Sequence, residues 1–572
     1  MCPRHLWRRE GNGNSSRKAG GTASTCTIGS RSLDSGAAAQ WCGRIADADD
    51  PGPTETGSGF RENRVQQRPN ILMITSDQQR GDCFGFAGRR VKTPHLDQLA
   101  GEGTRFAACI TPNVVCQPSR ASILTGLLPR THGVWDNGID LDDAVGSAGF
   151  AGQLGRAGYR TGFIGKAHFS TFHTFEPTGK PENRASTHLY GSDWFGPYMG
   201  FEQVELMVGG HNIHLPQFPP SGQHYERWYH ADGRGEERNR LYATHLPPDV
   251  GAAQTWHSAL PPAWHNSTWC GDRTIEFLQR NRDEPFILWT SFPDPHHPFD
   301  APEPWSRMHH PDDVDLPQHR DLDLDRRPWW HRASLESAPH LPSGELRQFR
   351  ERYSRTPRQS DEQLRHLIAN YYGMISLIDH NVGRILIALD ELGLRENTIV
   401  VYTTDHGDWL GDHGLILKGP MMYEGLLRVG CIFRGPGVPV AKVVADPVST
   451  LDLTATYYDY AGIDPSAPVH SRSLRPLIEG ETGRDFAYNE WDLHPSRCGV
   501  ALQLRTVRTR RHKLTIELLS GAGELYDLVN DPYEMDNLFD GGARGVRAEL
   551  TDMIRSRPDD AMVPPPEPVG MA

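Results

Sequence analysis

With 572 residues, 23% of them charged, and a formal net charge of -13, the chain is long enough for one large α/β domain plus a smaller one. The acidic balance excludes a nucleic-acid-binding surface as its main purpose, because phosphate contacts need clustered Lys and Arg. A small-molecule partner fits better, and an anionic one would have to be drawn in by a local positive site against the sign of the whole molecule.

Residues 1–68 are rich in Gly, Ser, Arg and Asp and poor in aliphatic side chains. Such a segment cannot offset its chain entropy by burial and is expected to be disordered. Order begins with RPNILMITSD (68–77), an apolar run bounded by polar residues that reads as a buried parallel strand ending at Asp77. Three further runs look alike: YRTGFIGK (159–166), EPFILWTSF (284–292) and NTIVVYTTD (397–405). The region 201–360, crowded with Pro, His, Trp and Arg, reads as long loops that shape a pocket, apart from the strand at 284–292.

In 364–394, Leu364, Ile368, Tyr371, Ile375, Ile378, Val382, Ile385, Leu389 and Leu392 follow helical spacing, with Gly393 near the end. Strands alternating with such a helix predict a doubly wound, mainly parallel sheet flanked by helices, with ligands at the carboxyl ends of the strands. VSTLDLTATYYDYAGI (448–463) reads as a last helix of a main domain spanning 69–465. Short β-like pieces such as LQLRTVRTRRHKLTIE (502–517) then predict a smaller antiparallel α+β domain over 466–572.

The nine cysteines (Cys2, Cys26, Cys42, Cys83, Cys109, Cys116, Cys270, Cys431 and Cys498) are scattered and form no CxxC pair, which fits a reducing compartment. No stretch approaches the roughly 18 to 20 apolar residues of a membrane span, and no signal-peptide pattern opens the chain. A cytoplasmic location is the expectation.

Asp77 is followed by Gln78, and Asp405 by His406, each pair just past a predicted strand. If those strands are neighbours, the four side chains can converge on one divalent cation. For a single Asp in such a place, capping of the next helix is the plainer explanation. The stretch DHGDWLGDHG (405–414) repeats the Asp-His-Gly triplet, so Asp412 and His413 are an alternative pair; position at a strand end favours Asp405 and His406.

NVVCQPSRASILTG (113–126) sets Cys116 just before Pro118, a residue suited to the first turn of a helix. That places the cysteine near a helix N-terminus, where free N–H groups favour negative charge, with Arg120 one turn on. An isolated cysteine would be a buried structural thiol; the C-x-P-x-R string argues otherwise.

Cys116, Pro118, Ser119, Arg120, Leu124, Thr125 and Gly126 together match C-x-P-S-R-x-x-x-L-T-G, and here the chain resembles the sulfatase family. The resemblance continues through Asp77, Gly165-Lys166-Ala167-His168, Pro295-His296-His297-Pro298, Asp405-His406-Gly407, Lys418-Gly419 and GELYDLVNDPYEMDNL (523–538). It implies an alkaline-phosphatase-like fold and hydrolysis of sulfate esters. It also implies that a formylglycine-generating enzyme oxidises Cys116 to Cα-formylglycine, whose hydrate is the nucleophile. A metal-bound gem-diol can lose one proton to attack sulfur and keep its second hydroxyl for a later elimination that releases sulfate. By the same resemblance, Asp77, Gln78, Asp405 and His406 hold the metal with the residue at 116. Arg120 stabilises the formylglycine, Lys166 and Lys418 hold the sulfate oxygens, His168 bonds the diol, and His296 serves the leaving oxygen. Asn137, in THGVWDNG, is a weaker candidate for a substrate contact, with an Asn-Gly turn as its alternative.

Many sulfatases carry paired aspartates after the first strand and Asp-Asn after the later one; Asp77-Gln78 and Asp405-His406 depart from that. Imidazole suits manganese better than calcium, so calcium, manganese and magnesium all remain open. This variant resembles the branch that includes phosphonate monoester hydrolases and phosphodiesterases, the second reading of function. A binding protein with an unmodified Cys116 is the third.

Overall fold

The computed structural model describes residues 68–208, 222–354, 356–564 and 566–571. The tail expected to be disordered lies outside them, apart from Arg68. All four expected strands form, as Asn70–Ser76, Arg160–Gly165, Phe286–Ser291 and Thr398–Thr404. They are the middle of an eight-stranded sheet ordered Lys442–Val444, Thr104–Phe106, Cys431–Arg434, Thr398–Thr404, Asn70–Ser76, Phe286–Ser291, Arg160–Gly165, Gln203–Leu206. The pairings are parallel except along both sides of Cys431–Arg434.

The central strands read as unbroken apolar runs because both faces are covered. Alternate residues supply two cores. Ile71, Met73, Ile287, Trp289, Ile399 and Val401 pack with Leu124, Phe150 and Tyr457 on one face. Leu72, Ile74, Leu288, Val400 and Tyr402 pack with Phe277, Val382, Ile385 and Leu389 on the other. This is the doubly wound arrangement expected from the alternation of strands and helices.

The long helix spans Asp361–Glu391, beginning and ending three residues before the apolar pattern suggested. Ser360 opens it with a capping box: its hydroxyl accepts the Gln363 N–H at 3.2 Å, and Gln363 Oε1 accepts the Ser360 N–H at 3.0 Å. Polar residues therefore form the first turn, and Gly393, at φ 69°, ends the run.

Within 201–360 the structure corrects the expectation of loops. Gln203–Leu206 is an edge strand of the main sheet, and Asn266–Asn281 is a 16-residue helix. The strand is too short to reveal a period. The helix hides its apolar stripe of Trp269, Cys270, Phe277 and Leu278 among equally buried Asn266, Ser267 and Thr274. The expected helix at 448–463 is shorter, Leu453–Ala461, and Gly462 at φ 65° stops it.

Near the C-terminus, Phe486–Leu493, Leu502–Thr509, His512–Glu517 and Gly523–Asp527 form an antiparallel meander. Helix Arg544–Arg555 buries Leu550 and Ile554 against Val507, Leu514 and Leu525. The first strand of this sheet also grips the loop ahead of Cys116: the Glu490 N–H donates to Pro112 O at 3.0 Å and Asn113 Nδ2 to Glu490 O at 2.7 Å. Among the described residues no helix is long and apolar enough to cross a membrane.

Candidate active site

The parallel register pairs Ser76 with Thr404, so the residues that follow, Asp77 and Asp405, leave the sheet side by side. Both are buried. Gln78 takes the left-handed backbone (φ 66°), which is uncommon for a residue with a side chain. Its N–H then donates to Asp405 Oδ1 at 3.1 Å.

Cys116 is the first residue of helix Cys116–Thr125, whose ten residues are all buried, and Gly126 closes it at φ 71°. The Ser119 and Thr111 hydroxyls donate to the Asp405 carbonyl at 2.7 and 2.6 Å, locking this helix to the end of the neighbouring strand. Arg120, wholly buried, bridges both aspartates: Nε lies 2.8 Å from Asp405 Oδ2 and Nη2 lies 3.1 Å from Asp77 Oδ2. Its Nη1 donates to Lys166 O and Ser291 Oγ, each at 2.7 Å. A guanidinium with that many partners is a fixed part of the frame.

Around the Cys116 Sγ stand His406 Nε2 at 3.1 Å, Lys418 Nζ at 3.0 Å and Asp77 Oδ1 at 3.8 Å. Lys166 Nζ lies 2.6 Å from Asp77 Oδ2. Burial and Asp77 push the Cys116 thiol up, but Lys418, Lys166 and His406 outweigh them and hold it well below its usual range. Burial likewise raises Asp77, while Lys166, Arg120 and Lys418 pull it well below the ordinary carboxylate range. Arg120, Lys166 and Lys418 thus gather three cations in a chain that is acidic as a whole.

Asp77, Cys116, Asp405 and His406 each offer a donor atom within 4.8 Å of the others. Two further observations fit a cation there. The His406 Nδ1 donates to Gly407 O at 2.9 Å, which turns Nε2 toward the group. The Gln78 amide nitrogen is taken by Asp408 Oδ2 at 2.6 Å and His297 Nδ1 at 3.2 Å, and its buried Oε1 has no partner. An orphaned amide oxygen beside two carboxylates suits a metal ligand.

His168 is held in the left-handed region (φ 51°) with its N–H donated to Glu182. Burial depresses its ring to about 4, against an upward pull from a hydrogen bond with Cys116. The His296 ring stacks on that of His297 at 4.0 Å, and its Nδ1 lies 2.6 Å from His297 O. Asn137 Oδ1 accepts the Gln117 N–H at 2.9 Å, a contact that caps the helix carrying Cys116. Asp412 and His413 form no part of the cluster; Asp412 pairs with Arg80 at 2.6 Å.

Sequence reasoning gave no role to Asp408, His297, Ser291 or Glu182. Asp408 stands inside the DHGD string and could have been flagged there. Glu182, which accepts the Phe169 and Ser170 N–H groups at 3.0 and 3.1 Å, has no local signal.

The sequence profile described as Sulfatase matches residues 69–463, and one described as N-sulphoglucosamine sulphohydrolase, C-terminal, matches 411–558. The chain is 29% identical over 499 residues to an arylsulfatase of Clostridium perfringens, covering 82% of this chain and 90% of that one. It is 28% identical over 494 residues to the uncharacterized sulfatase YidJ of Escherichia coli, covering 85% and 86%. Its fold matches the crystal structure of the phosphonate monoester hydrolase of Agrobacterium radiobacter with a TM-score of 0.69 and 27% identity, over 86% of this chain and 96% of that one. The chain belongs to the sulfatase family of sulfuric ester hydrolases.

Proposed function

We propose that the protein hydrolyses a small sulfate ester through a Cα-formylglycine at position 116, with a divalent cation held by Asp77, Gln78, Asp405 and His406. The observation that carries the reading is the ring of Lys418, His406 and Asp77 around one side-chain atom at the start of a buried helix. In the mature side chain, a hydroxyl of the aldehyde hydrate stands where Sγ stands here. The cation would lower the nucleophile's pKa and screen the ester oxygens.

The chain's own residues account for the rest. Lys418 and Lys166 attract and orient the anionic ester oxygens. Arg120 keeps Asp77 and Asp405 in place, so that both carboxylates face the nucleophile. His168, neutral at physiological pH by its depressed value, hydrogen-bonds the diol. The His296–His297 pair lies beside Gln78 and serves the departing oxygen.

A phosphonate monoester or phosphodiester substrate is the second reading, favoured by the Gln78 and His406 ligands and by the likeness to a phosphonate monoester hydrolase. Groups that bind tetrahedral anionic oxygens do not choose between sulfur and phosphorus. The test is a panel of aryl sulfate, phosphonate monoester and phosphodiester on metal-loaded protein in which peptide mass confirms the aldehyde at position 116. Highest kcat/KM on the sulfate is expected; a preference for either phosphorus ester selects the second reading. No turnover of any ester by modified, metal-loaded protein removes both.

A further inference from the structure

A second group of ligand-type side chains lies behind the first. His265, Asp294 and Asp300 each offer a donor atom, and these atoms lie within 4.8 Å of one another. The residues are 0%, 0% and 3% exposed. His265 precedes helix Asn266–Asn281, with Nδ1 3.5 Å from Asp294 Oδ2. The Ser267 hydroxyl donates to that same oxygen, and Tyr242 stands beside Asp300.

Two carboxyl groups this deep need a counter-charge or a bound proton. Among the described residues, neither pairs with a Lys or an Arg, and the basic group beside them is His265, with Nδ1 3.5 Å from Asp294 Oδ2. Two fully buried atoms are also left without a hydrogen-bond partner, His265 Nε2 and Asp294 Oδ1. Unmade hydrogen bonds in a dry interior are costly and ask for a ligand. An ion about 2.0–2.3 Å from each donor sets its ligands about 3 to 4.5 Å apart, a spacing compatible with this group.

We propose that His265, Asp294 and Asp300 form a second, buried metal site that takes one divalent transition-metal ion of the Mn2+ or Zn2+ type. An imidazole with two carboxylates suits such ions better than the all-oxygen shells of calcium. The two carboxylates neutralise the ion, and Tyr242 completes a polar lining. The site is structural: the Asp294 carbonyl accepts the Asp77 N–H at 2.9 Å, so an ion here braces the backbone behind the first cluster. It also tethers both ends of the segment that carries His296 and His297.

The inference does not depend on the catalytic reading, and its test does not use turnover. Protein stripped by a chelator is reloaded with Mn2+ or, separately, Zn2+, dialysed and measured by elemental analysis. The variant carrying Asp405→Asn and His406→Ala, which disables the first cluster, is expected to keep about one equivalent of ion. Adding Asp300→Asn removes that equivalent, and with it the rise in Tm that the ion gives. His265→Gln, which retains both carboxylates, is a second route to the same loss should Asp300→Asn fail to fold by circular dichroism. If the first-cluster variant retains neither ion, the carboxyls are neutralised by protons alone and the proposal falls. An equivalent that survives both Asp300→Asn and His265→Gln would equally overturn it.

Discussion

The Gln78 amide nitrogen stands 2.6 Å from Asp408, whose other carboxylate oxygen accepts the N–H groups of Leu410 and Leu417 at 2.7 and 2.9 Å. One side chain thus fixes both the orientation of a candidate metal ligand and the end of the loop that delivers Lys418. Groups that orient ligands in this way typically change metal affinity or activity about 10- to 100-fold when removed. Asp408→Ala is expected to weaken Mn2+ binding at the Asp77–His406 cluster by that order, read by titration of stripped protein in the Asp300→Asn background, with turnover falling in parallel. An unchanged affinity would mean that Gln78 is not a ligand.

Cys116→Ala removes the proposed nucleophile and leaves a small side chain at the first position of an otherwise intact helix. Turnover is expected to fall on the order of 10⁴-fold or more, as for other covalent nucleophiles, while Tm stays within a few degrees of the parent. Retention of most of the activity would exclude position 116 from the chemistry.

Asn137 separates a capping role from a substrate role. If it acts by holding the Gln117 N–H, Asn137→Ala costs about 1 kcal/mol of stability, lowers Tm, and leaves KM for the preferred ester unchanged. A rise in KM at constant Tm would restore the substrate contact that the sequence suggested.

Asp379 offers a test by pH. Its carboxylate accepts the Leu96 and His95 N–H groups at 2.8 and 3.3 Å from inside the long helix, and burial pushes it up to about 7. A carboxyl raised on folding stabilises the fold fully below its unfolded value near 4, and that contribution is lost as pH rises to about 7. The parent should therefore lose stability over this window at up to about 1.4 kcal/mol per pH unit relative to Asp379→Asn. Parallel pH profiles for the two proteins would rule the shift out.

The sequence carried the strand ends and the helix start because their signals are local. A strand covered on both faces must be apolar throughout, so Ile71 to Ile74 and Ile399 to Tyr402 announce themselves, and the polar residue after each is conspicuous. Cys116, Pro118 and Arg120 lie within two turns of one helix. The supporting groups are different in kind. Asp408 meets Gln78 across 330 residues, Ser291 meets Arg120 across 171, and Glu182 acts by accepting backbone N–H groups that any residues could supply. Asp294 and Asp300 look like ordinary loop aspartates until the fold buries both against His265. The Gln203–Leu206 strand escaped notice because four residues at a sheet edge show too little period to read.

The in-register pairing of Ser76 with Thr404 makes the gap between Asp77 and Asp405 a property of the sheet's own ladder, about 4.8 Å between adjacent strands. Dropping one residue from either strand would reverse which way its terminal aspartate points, since side chains alternate faces. The chemistry should therefore survive lengthened surface connections far better than a single-residue deletion inside either of these two strands.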